Sequence, residues 1–229
     1  MPTRLVVDST NQLQELTERG LSQNHAARLI AKVISFVFHP IFVPVYIVLF
    51  LLYVHPGVFA GFSSRKKILV LLQAIGMYGF FPLITVLLLK ALNFIGSVYL
   101  RSQKDRIIPY VACGIWYFWI WYVWRNLPES PEEIVILSMA IFLASSIGLL
   151  ANIYMKISMH AIAMGVMLAF MMLLALTQSV SFGVYISIAL LIAGIVCTAR
   201  FIASDHTQKE IYAGLLAGFV ALLIAIWFN

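Results

Sequence analysis

Apolar residues run almost unbroken through most of the chain. Seven long stretches stand out, at roughly 33–54, 68–91, 107–125, 133–154, 159–178, 181–203 and 209–228. None shows the alternation of apolar and polar residues that marks a membrane barrel strand. Each is about long enough to cross a bilayer as a helix, and a helix satisfies its own backbone hydrogen bonds there. The pattern predicts an all-α, polytopic transmembrane helical bundle of about seven spans. His39, Pro40 and Pro44 interrupt the first stretch. That segment is therefore read as kinked or partly re-entrant, and the count as six to seven. The short "TQSVS" between the fifth and sixth stretches forces an antiparallel pair.

Residues 1–32 are the most polar part and are read as a separate interfacial element, with 33–229 as a single transmembrane domain. "STNQLQELTERGLSQNHAARLIAK" predicts a helix, with Ser9 and Gln12 spaced as a capping box. Leu13, Leu16, Leu21 and Leu29 give it a broken apolar face, interrupted near Gly20. Such a helix lies on a membrane surface or packs on the bundle, the alternative being a mobile tail. Asp8, Glu15 and Glu18 and the lack of a short apolar core argue against a cleavable signal.

Composition agrees with the pattern. Of 229 residues, 62% are hydrophobic and only 10% charged, with a mean hydropathy of +0.98. A soluble domain is nearer 45–50% apolar. The net charge of +6 points to anionic lipid or substrate near the loops. The basic residues are scattered rather than striped, which argues against nucleic acid. Cys113 and Cys197 fall inside apolar runs and read as small buried hydrophobes.

Seven crossings sort the polar groups onto two faces. Lys104, Asp105, Arg106, Lys156, Ser158, His160, Arg200, Asp205, His206, Lys209 and Glu210 share one face with Arg101 and the N-terminus. The other face has Arg65, Lys66, Lys67, Arg125 and the acids of "PESPEE". Lysine and arginine are commoner on the first face, which the positive-inside rule would place in the cytoplasm. A phosphate site would need those same cations as ligands, so the side is left open.

The first face carries candidate chemistry. His206 and Glu210 are four residues apart, on one side of a helix. A carboxylate there can accept the imidazole Nδ1–H and leave Nε2 as a base or nucleophile. The bland alternative is a helix start with polar residues at the interface. His160, two residues after Ser158, adds a proton donor for a leaving group. Arg200, Lys104, Arg106 and Lys156 can converge on a phosphate. The Ser158 hydroxyl and the N–H groups of two helix starts add anion donors. Carboxylates and cysteines are too few, and cations too many, for a metal site.

These residues resemble the type 2 phosphatidic acid phosphatases, a superfamily that shares a core with vanadium haloperoxidases. That family carries Lys-x6-Arg-Pro, Pro-Ser-Gly-His and Ser-Arg-x5-His-x3-Asp. "ARFIASDHTQKE" supplies Arg200, His206 and Glu210 at the third spacing, with Ala199 for Ser and Glu210 for Asp. The following "IYAGLLAG" looks like the family's glycine-bearing helix, with Gly214 and Gly218. "KISMHAIAMG" keeps Ser158 and His160 but lacks the Pro and Gly. "RSQKDRIIPY" supplies Lys104, Arg106 and Pro109 without the family spacing, and Lys90 is an alternative lysine. The resemblance covers three short motifs over residues 104–218.

The resemblance implies a metal-free, cofactor-free lipid phosphatase. His206 would form a phosphohistidine, Glu210 would orient it, and His160 would serve as acid and then base. Arg200, Ser158, Lys104, Arg106 and Lys156 would hold the phosphoryl oxygens. The substrate would be a lipid phosphate or pyrophosphate, such as undecaprenyl pyrophosphate, phosphatidate, phosphatidylglycerophosphate or lipid A. The setting would be a bacterial inner membrane, with membrane lipids as the surroundings. Two other readings stand beside it: a non-catalytic lipid-binding protein or transporter, and a lipid phosphotransferase working through the same histidine.

Overall fold

The computed structural model describes residues 25–98, 100, 102–178, 181–203 and 206–229, and the backbone of 4–7 and 13–16. Nine α-helices follow a short β-hairpin among these residues. The strands are β1 (Arg4–Val7) and β2 (Leu13–Leu16). The helices are α1 (His25–Val37), α2 (Val43–Leu49), α3 (Ser64–Ala74), α4 (Phe81–Ala91), α5 (Gln103–Arg125), α6 (Glu132–Tyr154), α7 (Met159–Thr177), α8 (Gly183–Ala203) and α9 (Gln208–Phe228). A π-helical turn, Phe50–Val54, extends α2, and another, Ile75–Phe80, joins α3 to α4. Pro82 follows that second π turn. It has no N–H to donate, and a local shift of helical register accommodates the loss.

Six helices among the described residues are long and apolar enough to cross a membrane: Ser64–Ala91, Gln103–Arg125, Glu132–Tyr154, Met159–Thr177, Gly183–Ala203 and Gln208–Phe228. The chain is a multi-pass helical membrane protein.

The N-terminal segment differs from expectation. Arg4–Val7 pairs antiparallel with Leu13–Leu16, Arg4 opposite Leu16 and Val7 opposite Leu13. Leu13 and Leu16 are thus in a strand, not on a helix face. The "DSTNQ" between the strands is turn-forming chemistry, and it favours a hairpin over a continued helix. Ser9, Gln12, Gly20 and Leu21 lie outside the described residues.

The 33–54 stretch is interrupted where His39, Pro40 and Pro44 were expected to kink it, while α1 straddles the expected boundary at 32/33. α1 stops at Val37, and α2 begins at Val43 with Pro44 in its first turn. Pro40 restricts the residue before it to extended backbone, which ends a helix. The turn closes with Phe42 N–H donating to the His39 carbonyl at 2.8 Å. The Tyr46 hydroxyl donates to the last carbonyl of α1, that of Val37, at 2.9 Å. The Val43–Val54 segment is a shorter apolar helix than the six spans.

Helices α6, α7 and α9 form the centre of the bundle. Leu137, Ala140, Met164, Phe170, Leu174 and Ala221 are fully enclosed there. Tyr78 and Trp124 extend the core toward α3 and α5, where Trp124 Nε1 donates to Gln73 at 3.1 Å. Large apolar side chains on α4, α5 and α8 face outward, as a bilayer allows. Cys113 is buried, Cys197 half-buried, and both are free thiols.

Glycines set the closest helix crossing. A Cβ on Gly218 would overlap the Ile162 carbonyl oxygen, and one on Gly165 would overlap that of Leu215. A Cβ on Gly214 would lie 2.9 Å from the Ser158 carbonyl oxygen. α7 and α9 therefore touch backbone to backbone over their N-terminal halves, the close approach that small-xxx-small spacing permits.

Candidate functional site

The site is assembled where two helices start. Thr207 is the N-cap of α9. Its hydroxyl accepts from Glu210 N–H at 3.3 Å, and Glu210 Oε2 accepts from Thr207 N–H at 2.9 Å. This is a reciprocal capping box, and it fixes the Glu210 rotamer. His206 precedes the cap and is buried, 4% exposed. Its Nδ1 lies 3.1 Å from the same Glu210 Oε2. One carboxylate oxygen thus serves the cap and the histidine together. With Nδ1–H donating to a carboxylate, the neutral ring has its lone pair on Nε2.

Burial pushes the His206 pKa down to about 4. The hydrogen bond to Glu210 opposes that shift, and the positive charges of Arg200 and Arg106 reinforce it. At neutral pH the imidazole is therefore uncharged.

Ser158 is the N-cap of α7, fully buried, its hydroxyl accepting from Ala161 N–H at 3.4 Å. Its own N–H donates to the Glu210 carbonyl at 3.3 Å. That bond joins the two helix starts, so the orphan N–H groups of both first turns gather in one place.

Arg106 is buried on the first turns of α5. Its Nε donates to the Leu100 carbonyl at 2.9 Å and its Nη1 to the Ile157 carbonyl at 2.8 Å. Leu100 adopts a left-handed backbone, φ 49°, which costs a non-glycine residue strain. The reciprocal side chain–backbone bonds of Gln103 and Asn152, at 2.8 and 2.9 Å, hold this start of α5 against the end of α6. Arg106 acts electrostatically on both Glu210 and His206.

His160, in the first turn of α7, places Nε2 2.9 Å from the Ser35 carbonyl of α1. In the neutral ring Nε2 then carries the proton, and Nδ1 is the open nitrogen. The His39 ring stands edge-on to His160, with centroids 5.5 Å apart. Backbone N–H of Ile41 approaches His39 Nδ1 at 3.4 Å. Half-buried Arg200, at the end of α8, lies within electrostatic reach of His39, His160 and His206.

The structure thus brings together His206, Glu210, His160, Ser158, Arg200 and Arg106. Lys104 is exposed on α5, and Lys156 is half-buried in the α6–α7 connection. Neither is held by a hydrogen bond or ion pair to the described residues. Lys90 donates to the Gly96 carbonyl at 2.7 Å, a loop-fastening role. Asp105 supports the same loop by accepting from Gly96 N–H at 2.9 Å. Arg101 and Asp205 lie outside the described residues. No group of three His, Cys, Asp or Glu among the described residues could hold a metal ion.

Sequence reasoning missed three contributors. His39 was noted only as part of a kink, and Ser35 was not singled out at all. The Thr207–Glu210 box had a visible signal, Thr-x-x-Glu before an apolar run. No family model, curated protein or solved structure matches the chain.

Proposed function

We propose that the chain is a lipid phosphatase of a bacterial inner membrane, hydrolysing a lipid phosphate monoester or pyrophosphate through a phosphohistidine. The observation that carries this reading is the buried, neutral His206 held by Glu210 at 3.1 Å, with Arg200, Arg106 and Ser158 around it. In this reading His206 Nε2 attacks phosphorus, and the bond from phosphorus to the lipid oxygen breaks. His160, entering as the imidazolium with Nε2–H on the Ser35 carbonyl, gives its Nδ1 proton to the leaving oxygen and becomes neutral. It next takes one from water, which attacks the phosphohistidine and releases inorganic phosphate. Glu210 stabilises the charge that grows on His206. The cations and helix N-termini stabilise the phosphoryl oxygens.

Glu210 departs from the aspartate of the resembled family, and the capping box gives that departure a reason. The longer side chain lets one oxygen meet both Thr207 N–H and His206 Nδ1.

The test is phosphate release from a panel of lipid phosphates by purified protein, with His206→Ala as the blank. Release that depends on His206 supports the reading, and an inactive wild-type protein across the panel overturns it. Adding an alcohol acceptor separates hydrolysis from phosphotransfer. Lipid exchange that survives loss of both His160 and His206 would favour a transporter.

A further inference from the structure

An open apolar groove of about 530 Å³ lies between α1 and α8. Ala31 and Ala199 form its buried floor, and Ile34, Leu191, Gly194 and Thr198 are among its walls. It runs from Leu190 to Ile202 along α8, about 18 Å at the helical rise. That is more than half the hydrocarbon thickness of a bilayer.

The groove's lining adjoins the candidate site along both helices. Ile34 precedes Ser35, whose carbonyl meets His160 Nε2 at 2.9 Å. Ala199 precedes Arg200, which acts on all three histidines. Ser35 Oγ is buried and finds no hydrogen-bond partner among the described residues. A buried hydroxyl without a partner is unfavourable, and a polar ligand group would relieve it. A polar end and an apolar slot are therefore joined at Ile34–Ser35 and Ala199–Arg200.

We propose that this slot holds a hydrocarbon chain of the same lipid whose phosphate sits among His206, His160 and Arg200. This rests on the phosphatase reading for the headgroup and adds the chain. A long acyl or prenyl chain would bury apolar surface along α1 and α8. Placing the chain would also bring the phosphate to the histidines in a fixed orientation.

Gly194 supplies a clean test, because a Cβ there would meet nothing within 4 Å. Gly194→Leu sends a side chain into the groove from a Cβ position that meets no protein atom, and it improves helix propensity. Gly114 in α5 is equally open, so Gly114→Leu is the control. With dioleoyl phosphatidate in vesicles, Gly194→Leu should lower kcat/KM about tenfold. With dihexanoyl phosphatidate in solution it should be within about twofold of wild type, and Gly114→Leu should match wild type on both. Equal effects of Gly194→Leu on both substrates, or none on either, overturn the slot.

A second readout does not depend on turnover. Phosphatidate carrying a photoreactive diazirine on its chain should label residues 27–34 and 190–202 preferentially, and Gly194→Leu should suppress that labelling. Uniform labelling of all outward-facing helices, unchanged in Gly194→Leu, overturns the proposal. If wild-type protein releases no phosphate from any lipid, the headgroup chemistry fails while the labelling still decides the slot.

Discussion

His206 Nδ1 and Glu210 Oε2 lie 3.1 Å apart, and the same oxygen takes the Thr207 N–H at 2.9 Å. The helix cap is thereby the device that aims the histidine. A capping carboxylate that rotated away would leave the Thr207 N–H without that partner. The pairing is consequently rigid for a reason unrelated to catalysis.

Glu210→Gln should separate the two duties. Glutamine still caps in a capping box, so folding should change little. The charge-assisted bond to His206 is lost, and such bonds are worth about 1.5–3 kcal/mol. If that bond strengthens as His206 becomes cationic, phosphate release should slow about 10- to 150-fold. Steady-state rates beside a thermal melt check this. A variant that melts early and loses activity in proportion would mean the carboxylate is only a cap.

Burial sets the pH behaviour. The His206 pKa is lowered to about 4, chiefly by desolvation, and that of His39 to about 4 for the same reason with Arg200 adding to it. A nucleophile must be neutral, so activity should persist down to about pH 5, where an ordinary histidine near 6.5 would be mostly protonated. Stability moves in the same direction. Between about pH 6.5 and 4 the unfolded chain binds these protons and the folded chain does not, so stability falls as pH falls through that window. His206→Asn should flatten part of that slope in thermal melts taken from pH 7 to pH 4.5. A slope identical to wild type would remove His206 as its source.

The bundle was legible because apolar runs of bilayer length leave few alternatives to helices. The pairing of His206 with Glu210 was legible because i, i+4 spacing places both on one helix side. The return of Ser158 and His160 to that end followed from counting two spans between them. Burial is what sequence did not carry. Arg106 and Lys104 lie two residues apart, and only packing against Leu100 and Ile157 encloses the arginine and leaves the lysine exposed. His39 was hidden for another reason. Its partner His160 is over a hundred residues away, and Pro40 drew the segment's reading toward a kink. The N-terminal strands were hidden by leucine spacing that fits a broken helix face as well as a short hairpin.

Gly218 tests the scaffold beneath the site. Gly218→Ala would drive a methyl group into the Ile162 carbonyl oxygen, with the Val166 nitrogen 2.6 Å from its position. Overpacking of this kind costs about 1–3 kcal/mol. The crossing also sets the Ser158–Glu210 bond between the helix starts, so activity should fall further than the melt alone explains. Gly114→Ala, whose Cβ meets nothing within 4 Å on α5, should leave both unchanged. Equal melts for the two variants would show that α7 and α9 are not held at this crossing.

In the proposed reaction His39 would act through His160 rather than on substrate. Its ring packs edge-on at 5.5 Å while the Ser35 carbonyl holds His160 Nε2. Together these leave the His160 Nδ1 edge as the one available for proton transfer. An edge-to-face aromatic contact is worth about 0.5–1.5 kcal/mol, so His39→Ala should lower kcat about 2- to 10-fold. KM should move little, because Arg200, Arg106 and Ser158, the proposed phosphate ligands, remain. His39→Phe keeps an aromatic ring at the same place and should recover most of kcat. The acid limb of the pH profile should also stay where wild type has it in His39→Phe. If phenylalanine is as slow as alanine, or the acid limb moves with it, His39 handles a proton itself and is a catalytic residue, not a wall for His160.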